Sequence, residues 1–356
     1  MRVGIPKEIR PFEGRVGLVP AAAAELVRLG HEVTLETTAG DLSGYIDADY
    51  QSLGVVIAAD ARALYESADI IVKVKEPVAP EIDYLRPEHL LFSYLHLAAL
   101  PELTQRLLDI GLTAVGFETV QTASGRLPLL APMSDIAGRL SIQLGLHYLH
   151  QPMGGKGLLL GGLPAAERGN VVVIGAGNVG GNAVAMAAQI GANVTVFDRN
   201  RDKLERMRAI GANVTGLYPY QQSLAEAVAA ADLLVGAVLV PGERAAMMVS
   251  AEMVKTMQPG SVIVDVSVDQ GGCVETTRPT SYQDPTFIWE GVVHFGVTNM
   301  PGAVPRSASQ ALSAALMPYL ERLVAPNWRQ DPALLAGINV SGGKCIHPAL
   351  IAMQRH

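Results

Sequence analysis

Apolar positions along this chain fall into short runs separated by helical patterns, and the alternation repeats. Arg2 to Ile5 is a brief apolar run that predicts a strand. Pro20 to Leu29 is rich in Ala and Leu, opens on proline and closes before Gly30, so it predicts a helix. His31 to Glu36 then alternates as a strand does. Ile70 to Val74, Leu90 to Tyr94 and Thr113 to Phe117 predict further strands, with helices at Ala61 to Ser67 and Leu103 to Ile110 between them. Such a βαβ series predicts a largely parallel sheet with helices on its faces. Ser134 to His150 predicts one long amphipathic helix with Ser134 as its N-cap, and the glycine-rich stretch after it reads as a linker. A second series follows, with strands expected at Val171 to Ile174, Asn193 to Phe197, Asn213 to Leu217, Leu233 to Ala237, Ser261 to Val266 and Val293 to Val297. Ser307 to Val324 predicts another long helix, after which the chain reads as irregular.

Length and composition narrow this further. At about 150 residues per domain, 356 residues suggest two, and 49% hydrophobic against 17% charged residues supplies sizeable cores. The net charge of −7 and the absence of a basic cluster argue against nucleic acid as a partner. Two cysteines, Cys273 and Cys345, are too few for a disulfide framework or a thiolate zinc site, and free thiols suit a reducing compartment, so the cytoplasm is expected. The N-terminus shows no signal-peptide pattern. Gly169 to Phe197 carries no charge and has the length of a membrane span, but six glycines and several amides interrupt it; a buried strand, helix and strand explain it better, and no membrane is expected. His147 and His150 lie three apart without an acid or thiol to complete a metal set, so no metal is expected.

Chemistry concentrates at the ends of the expected strands. Val171 to Ile174 runs into Gly175-Ala-Gly177-Asn-Val-Gly180, then a helix, then a strand ending at Asp198, 23 residues after Gly175. Strand, glycine turn, helix, strand and terminal acid in this order predict a dinucleotide site. Gly175 permits the tight turn, Gly177 lets the backbone approach a pyrophosphate, and Gly180 lets helix and strand pack closely. Asp198 would accept from the ribose hydroxyls, which favours NAD; Arg199 and Arg201 beside it leave NADP as the alternative. Asp269 follows another strand and precedes a flexible turn. In the first half, Arg15 follows a polar turn, Lys75 ends IIVKVK, and His96 ends LLFSYLH. Taken singly, these are equally readable as a surface arginine, a snorkelling lysine, a core histidine and a loop acid.

The segments MRVGIPKEIRPFEGRVGLVP, VKVKEP, YLHLA, LPLLAPMSDIAGR, VIGAGNVG, VLVPG, MVKTMQPGSVIVDVSVDQGGCVETTRPT and NMPGAVPRSAS, in this order, resemble the alanine dehydrogenase and pyridine nucleotide transhydrogenase superfamily. The resemblance runs from residue 1 to about 325. It implies an α/β protein with two Rossmann-like doubly wound domains flanking an active-site cleft, one formed by 1–128 with 307–356 and the other by 129–306. It further implies a homohexamer that catalyses the reversible conversion of L-alanine, NAD and water to pyruvate, ammonium and NADH. Carried over by motif, the substrate carboxylate falls to Arg15 and Lys75, and catalysis to His96 and Asp269. Cofactor contacts fall to Ser134, Gly175, Gly177, Asn178, Val179, Gly180, Asp198, Lys203, Val238, Leu239, Val297, Asn299 and Met300. The tail after Asn339 matches only loosely, and the linker at Ala165 to Gly169 is short. Three other readings compete: a transhydrogenase nucleotide-binding subunit, from which the YLHLA histidine and KEP lysine would be absent; a relative acting on lysine, ornithine or another amino acid; and a cofactor-binding protein without catalysis, which would not need Arg15, Lys75, His96 and Asp269 together.

Overall fold

The computed structural model describes residues 1–238 and 245–353. It divides into two compact units, Met1–Met133 with Gly302–His356, and Ser134–Pro301. In the first unit, parallel strands β1 (Arg2–Ile5), β2 (Glu32–Glu36), β3 (Val56–Ala58), β4 (Ile70–Val72), β5 (Leu90–Ser93) and β6 (Thr113–Gly116) lie in the order β3-β2-β1-β4-β5-β6. The second unit holds β7 (Asn170–Ile174), β8 (Asn193–Phe197), β9 (Val214–Leu217), β10 (Leu233–Gly236), β11 (Val262–Asp265), β12 (Thr286–Trp289) and β13 (Val292–Phe295), ordered β9-β8-β7-β10-β11-β13-β12. All neighbours there are parallel except β12, which runs antiparallel to β13. Both units are therefore doubly wound sheets in which the order reverses between the first and fourth strands, the place where such sheets take ligands.

The middle strands explain why the sequence reads as apolar runs. Every residue of β4, β5, β10 and β11 is buried, because helices cover both faces. Each fully buried Val, Leu or Ile contributes roughly 1.5–3 kcal/mol of transfer free energy, so these four strands anchor their units. The helix Pro20–Arg28 turns Ala22, Ala23 and Leu26 inward, starts on proline and is followed by Gly30 at φ +85°. In the first unit, the helix Pro305–Leu323 holds the segment after β1: Ser309 Oγ accepts from the Val16 N–H at 3.0 Å, and Ser313 Oγ from the Val19 N–H at 2.9 Å.

Three expectations need correction. The long helix runs Ala131–Tyr148, so Ser134 lies inside its first turn and is no N-cap; Pro132 is tolerated there, and the Ala131 N–H reaches the Leu127 carbonyl at 3.1 Å. The strand expected to reach Val74 stops at Val72, since beyond it the Val74 N–H bonds to a side chain, Glu8, instead of a neighbouring strand. The tail is not irregular: β14 (Ile338–Ser341) pairs antiparallel to β6, β15 (Lys344–Cys345) pairs antiparallel to β14, and the helix Pro348–Met353 follows. Among the described residues, no helix is long and apolar enough to cross a membrane.

Candidate active site

Arg15, Lys75 and His96 lie in the segments that follow β1, β4 and β5, three adjacent strands of the first sheet, with Lys75 and His96 three residues past their strands and Arg15 ten. Arg15 is 2% exposed and lies against Glu13: Nε donates to Oε1 at 2.7 Å and Nη2 to Oε2 at 2.6 Å, while Nη1 reaches Met133 Sδ at 3.1 Å. Burial works against the guanidinium charge, but Glu13 outweighs it and holds the arginine firmly protonated. Removing one partner of such a buried pair leaves an uncompensated charge, at a cost of about 3–5 kcal/mol. Lys75 is half-buried in the turn after β4.

His96 is exposed and has φ +49° and ψ +33°, a left-handed backbone that costs a non-glycine residue roughly 1–2 kcal/mol. Glu118 compensates for that strain. Its carboxylate accepts from the His96 N–H at 2.7 Å and from the Leu95 N–H at 3.2 Å, and hydrogen bonds to a charged group contribute about 1.5–3 kcal/mol each. The imidazole lies parallel to the Tyr94 ring with centroids 6.0 Å apart. The Tyr94 hydroxyl donates to the Leu129 carbonyl at 2.6 Å, and burial pushes that phenol well above its usual range, so it remains a neutral donor. The imidazole is thus set on a rigid platform and open to solvent.

In the second unit the loop between β7 and the helix Asn178–Gln189 carries the three glycines. Gly175 has φ +102°, and a Cβ there would stand 2.5 Å from the Ala237 carbonyl oxygen; a Cβ at Gly180 would stand 1.8 Å from the Gly175 oxygen. Among the described residues, a Cβ at Gly177 would meet nothing within 4 Å. The helix beginning at Asn178 has glycine at its N-cap and so no side-chain cap for its first N–H groups. Asn178 and Val179 form that first turn. Asp198 ends β8 and accepts from the Ala176 N–H and the Asn200 N–H, both at 2.8 Å, with Lys203 Nζ 3.8 Å away. A carboxylate has about four acceptor positions, so these two bonds leave capacity for hydroxyl donors. A dinucleotide fits this arrangement: a glycine turn, uncapped helix amides and an acid at the next strand end.

Other expected contacts occupy the same sheet edge or its surroundings. The Val238 N–H donates to Ser267 Oγ at 2.9 Å. Val297 and Met300 are buried, Asn299 has a left-handed backbone at φ +60°, and the Met300 carbonyl accepts from the Tyr282 hydroxyl at 2.9 Å. Ser134 is half-buried, and Leu239 lies outside the described residues. Asp269 is exposed on the short helical turn Val266–Gln270 after β11.

Several residues that shape these edges escaped the sequence reading. Asp265 at the end of β11 is buried and accepts from the N–H groups of Ser267, Cys273 and Val274 at 3.0, 3.0 and 3.2 Å, folding the loop that carries Asp269. Burial raises its carboxyl above the usual range against the pull of those bonds. An acid directly after the apolar run VIV was the available signal. Glu118 gave none, because the residue it holds lies 22 positions away; Glu13 stands two residues before Arg15, and that adjacency was its signal. Among the described residues, no group of three or more His, Cys, Asp or Glu side chains is placed to hold a metal.

Comparison with known proteins gives the same picture over the whole chain. Residues 4–137 match the N-terminal domain model of alanine dehydrogenase/PNT, and 141–348 match the C-terminal one. Alanine dehydrogenase of Geobacillus stearothermophilus is 45% identical over 361 aligned residues, covering 99% of this chain and 96% of that protein; the Bacillus subtilis enzyme is 46% identical, covering 98% and 94%. A solved L-alanine dehydrogenase superposes with a TM-score of 0.97 at 48% identity, covering 100% of this chain and 99% of that one. A transhydrogenase from Sinorhizobium meliloti superposes with a TM-score of 0.85 at 26% identity, covering 98% and 100%. With two doubly wound units, a glycine turn fit for a dinucleotide and these matches from end to end, the chain belongs to the alanine dehydrogenase and pyridine nucleotide transhydrogenase family.

Proposed function

We propose that this chain is an alanine dehydrogenase that interconverts L-alanine, NAD and water with pyruvate, ammonium, NADH and a proton. The observation that carries this reading is 45% identity to alanine dehydrogenases along nearly the whole chain, and it is supported by Arg15, Lys75 and His96 falling in the segments that follow three adjacent strands. Two cations and an imidazole in the segments after neighbouring strands suit a small amino acid, whose carboxylate must be held while its α-carbon reacts. The Sinorhizobium meliloti transhydrogenase shares the fold at much lower identity, which favours the dehydrogenase reading.

Arg15 and Lys75 bind the substrate carboxylate and so fix the α-carbon. Bound NAD supplies the acceptor for the α-hydride. Asp198 takes the adenosine ribose hydroxyls, with Lys203 beside it, and the turn Gly175 to Gly180 takes the pyrophosphate; Ser134, Val238, Leu239, Val297, Asn299 and Met300 contribute the remaining contacts. Loss of the α-hydride leaves an iminium carbon; His96 removes a proton from water as its oxygen adds there, passes that proton to the nitrogen, and takes the proton of the new hydroxyl as the C–N bond breaks, so that the pyruvate carbonyl forms and ammonia leaves. Asp269 shares this proton path, and either it or His96 acts as the first base. On the same reading the enzyme is a cytoplasmic homohexamer of amino-acid catabolism.

The test is NADH formation at alkaline pH with a panel of L-amino acids, each with NAD and with NADP. L-Alanine with NAD should exceed every other pairing, with NAD preferred over NADP by more than about tenfold because a 2′-phosphate would face the Asp198 carboxylate. A higher rate with lysine or ornithine, or equal rates with the two cofactors, would overturn the substrate or the cofactor assignment respectively.

A further inference from the structure

Beneath Lys75 lies a buried charge cluster that the chemistry proposed above does not use. Lys73 is 1% exposed, a burial rare for lysine, and its ammonium has three acceptors for its three protons: Glu8 Oε2 at 3.1 Å, Glu81 Oε1 at 3.2 Å and the Lys75 carbonyl oxygen at 2.8 Å. Glu8 is 7% exposed, and its other oxygen accepts from the Val74 N–H at 2.6 Å and the Lys75 N–H at 3.3 Å. Glu81 holds the far end of the same loop, accepting from the Val78 N–H at 2.8 Å.

A cluster of this kind is poorly explained by stability alone. Withdrawing three charges from water is expensive, and well-packed apolar side chains of similar volume would hold this position as firmly. One ammonium faces two carboxylates here: burial and the second carboxylate keep the Glu8 carboxyl above its usual range, while the two glutamates together keep Lys73 protonated despite its burial. What the cluster achieves that apolar packing would not is directional. It grips the backbone of Lys75 from both sides, the N–H through Glu8 and the carbonyl through Lys73, one residue beyond Val74, whose carbonyl still accepts from the Tyr94 N–H.

We infer that Glu8 and Lys73 are positioning residues for the substrate carboxylate, acting through Lys75 by fixing the peptide groups from which its side chain projects. This rests on the reading of Lys75 as a substrate-binding cation. A side chain with four rotatable carbons places its charge only as well as its backbone is placed, and an error of about 1 Å in a binding group is enough to cost substantial rate.

The experiment is a double-mutant cycle on the full chain in the pyruvate-reducing direction, with NADH binding followed separately by fluorescence. Glu8→Gln removes the charge that both pairs with Lys73 and holds the Lys75 N–H. It should lower kcat/KM for pyruvate by about tenfold or more, mainly through KM, with the NADH Kd changed by less than about twofold. In a Lys75→Ala background the same substitution should have almost no further effect, because its route to the substrate is gone. Equal losses in both backgrounds, an NADH Kd that shifts in step, or no loss at all would overturn the inference. If Glu8→Gln does not fold, Glu8→Asp, which keeps the charge but withdraws it by one carbon, is carried through the same cycle with the same outcomes. Lys75→Ala alone separates the two layers: unchanged kcat/KM for pyruvate there removes Lys75 from the site, whereas a large loss there with none in Glu8→Gln removes only the positioning role.

Discussion

At the carboxyl edge of the first sheet, Arg15 pairs with Glu13, Lys73 meets Glu8 and Glu81, and Glu118 holds the backbone of His96. At the matching edge of the second, the turn is made of glycines, uncapped helix amides and an acid that bonds to peptide N–H groups. The six parallel strands follow the same spatial order in both, so topology at the ligand edge does not dictate the difference. Ligand size does. A small carboxylate offers few handles and calls for side-chain cations, which must themselves be held by buried carboxylates. A dinucleotide is long and spreads its negative charge, so backbone amides serve, and what the protein must provide is close approach. One scaffold thus carries two chemistries, distinguished by side chains at one edge and by their omission at the other.

The contrast predicts that the second edge breaks by added bulk. Gly180→Ala places a Cβ 1.8 Å from the Gly175 oxygen, so the turn must deform; NADH binding should weaken by more than about a hundredfold, with a loss of thermal stability. Gly177→Ala meets none of the described residues within 4 Å and should leave the melting temperature unchanged while still weakening NADH. If the two variants bind NADH equally well, the division of roles among these glycines is wrong.

The first edge should break by loss of charge or titration. His96→Gln keeps a polar side chain on its Tyr94 platform but cannot shuttle protons, and Asp269→Asn does the same to the acid of the other unit. Each should lower kcat by about a hundredfold, and the double variant little further if both serve one proton path. Near-normal turnover in either, with NADH binding intact, would take that residue out of the reaction.

A smaller effect concerns pH and a core position away from both edges. His294 is fully buried, with its ring nitrogens at 2.7 Å from Thr276 Oγ1 and 3.0 Å from the Val292 carbonyl, and burial lowers its pKa. A folded pKa below about 6.5 means that the unfolded chain binds the proton more readily, so this contribution is intact above that pH and drains away as the pH falls. His294→Gln should flatten the decline in melting temperature between pH 7 and 5 by a few degrees; an unchanged slope would place the acid sensitivity elsewhere.

How much of this was legible in the sequence depended on range. The turn at Gly175 to Gly180 and the strands around it are local patterns and could be read directly. Short or edge elements could not: β3 spans three residues, and β12, β14 and β15 gain their strand character from the neighbours they pair with. Within VKVK, Lys75 drew notice as the terminal charge while Lys73 passed over, because only the fold brings Glu8, 65 positions earlier, within reach. Glu118 likewise serves a residue 22 positions away. Polar groups that support residues far along the chain carry no spacing rule, and so they emerge only from coordinates.

The pairing of β14 with β6 joins residues more than 220 positions apart, and all of the second unit lies between them. During synthesis the second unit, contiguous in the chain, emerges whole and is free to fold while β6 still waits for its edge partner. Until residues 338–341 leave the ribosome, the nascent first sheet presents an open row of peptide groups, the kind of surface that recruits a neighbouring nascent chain. The last strands are therefore a late seal on the earliest-made sheet, and the interval before they close is when the growing polypeptide has most need of a chaperone.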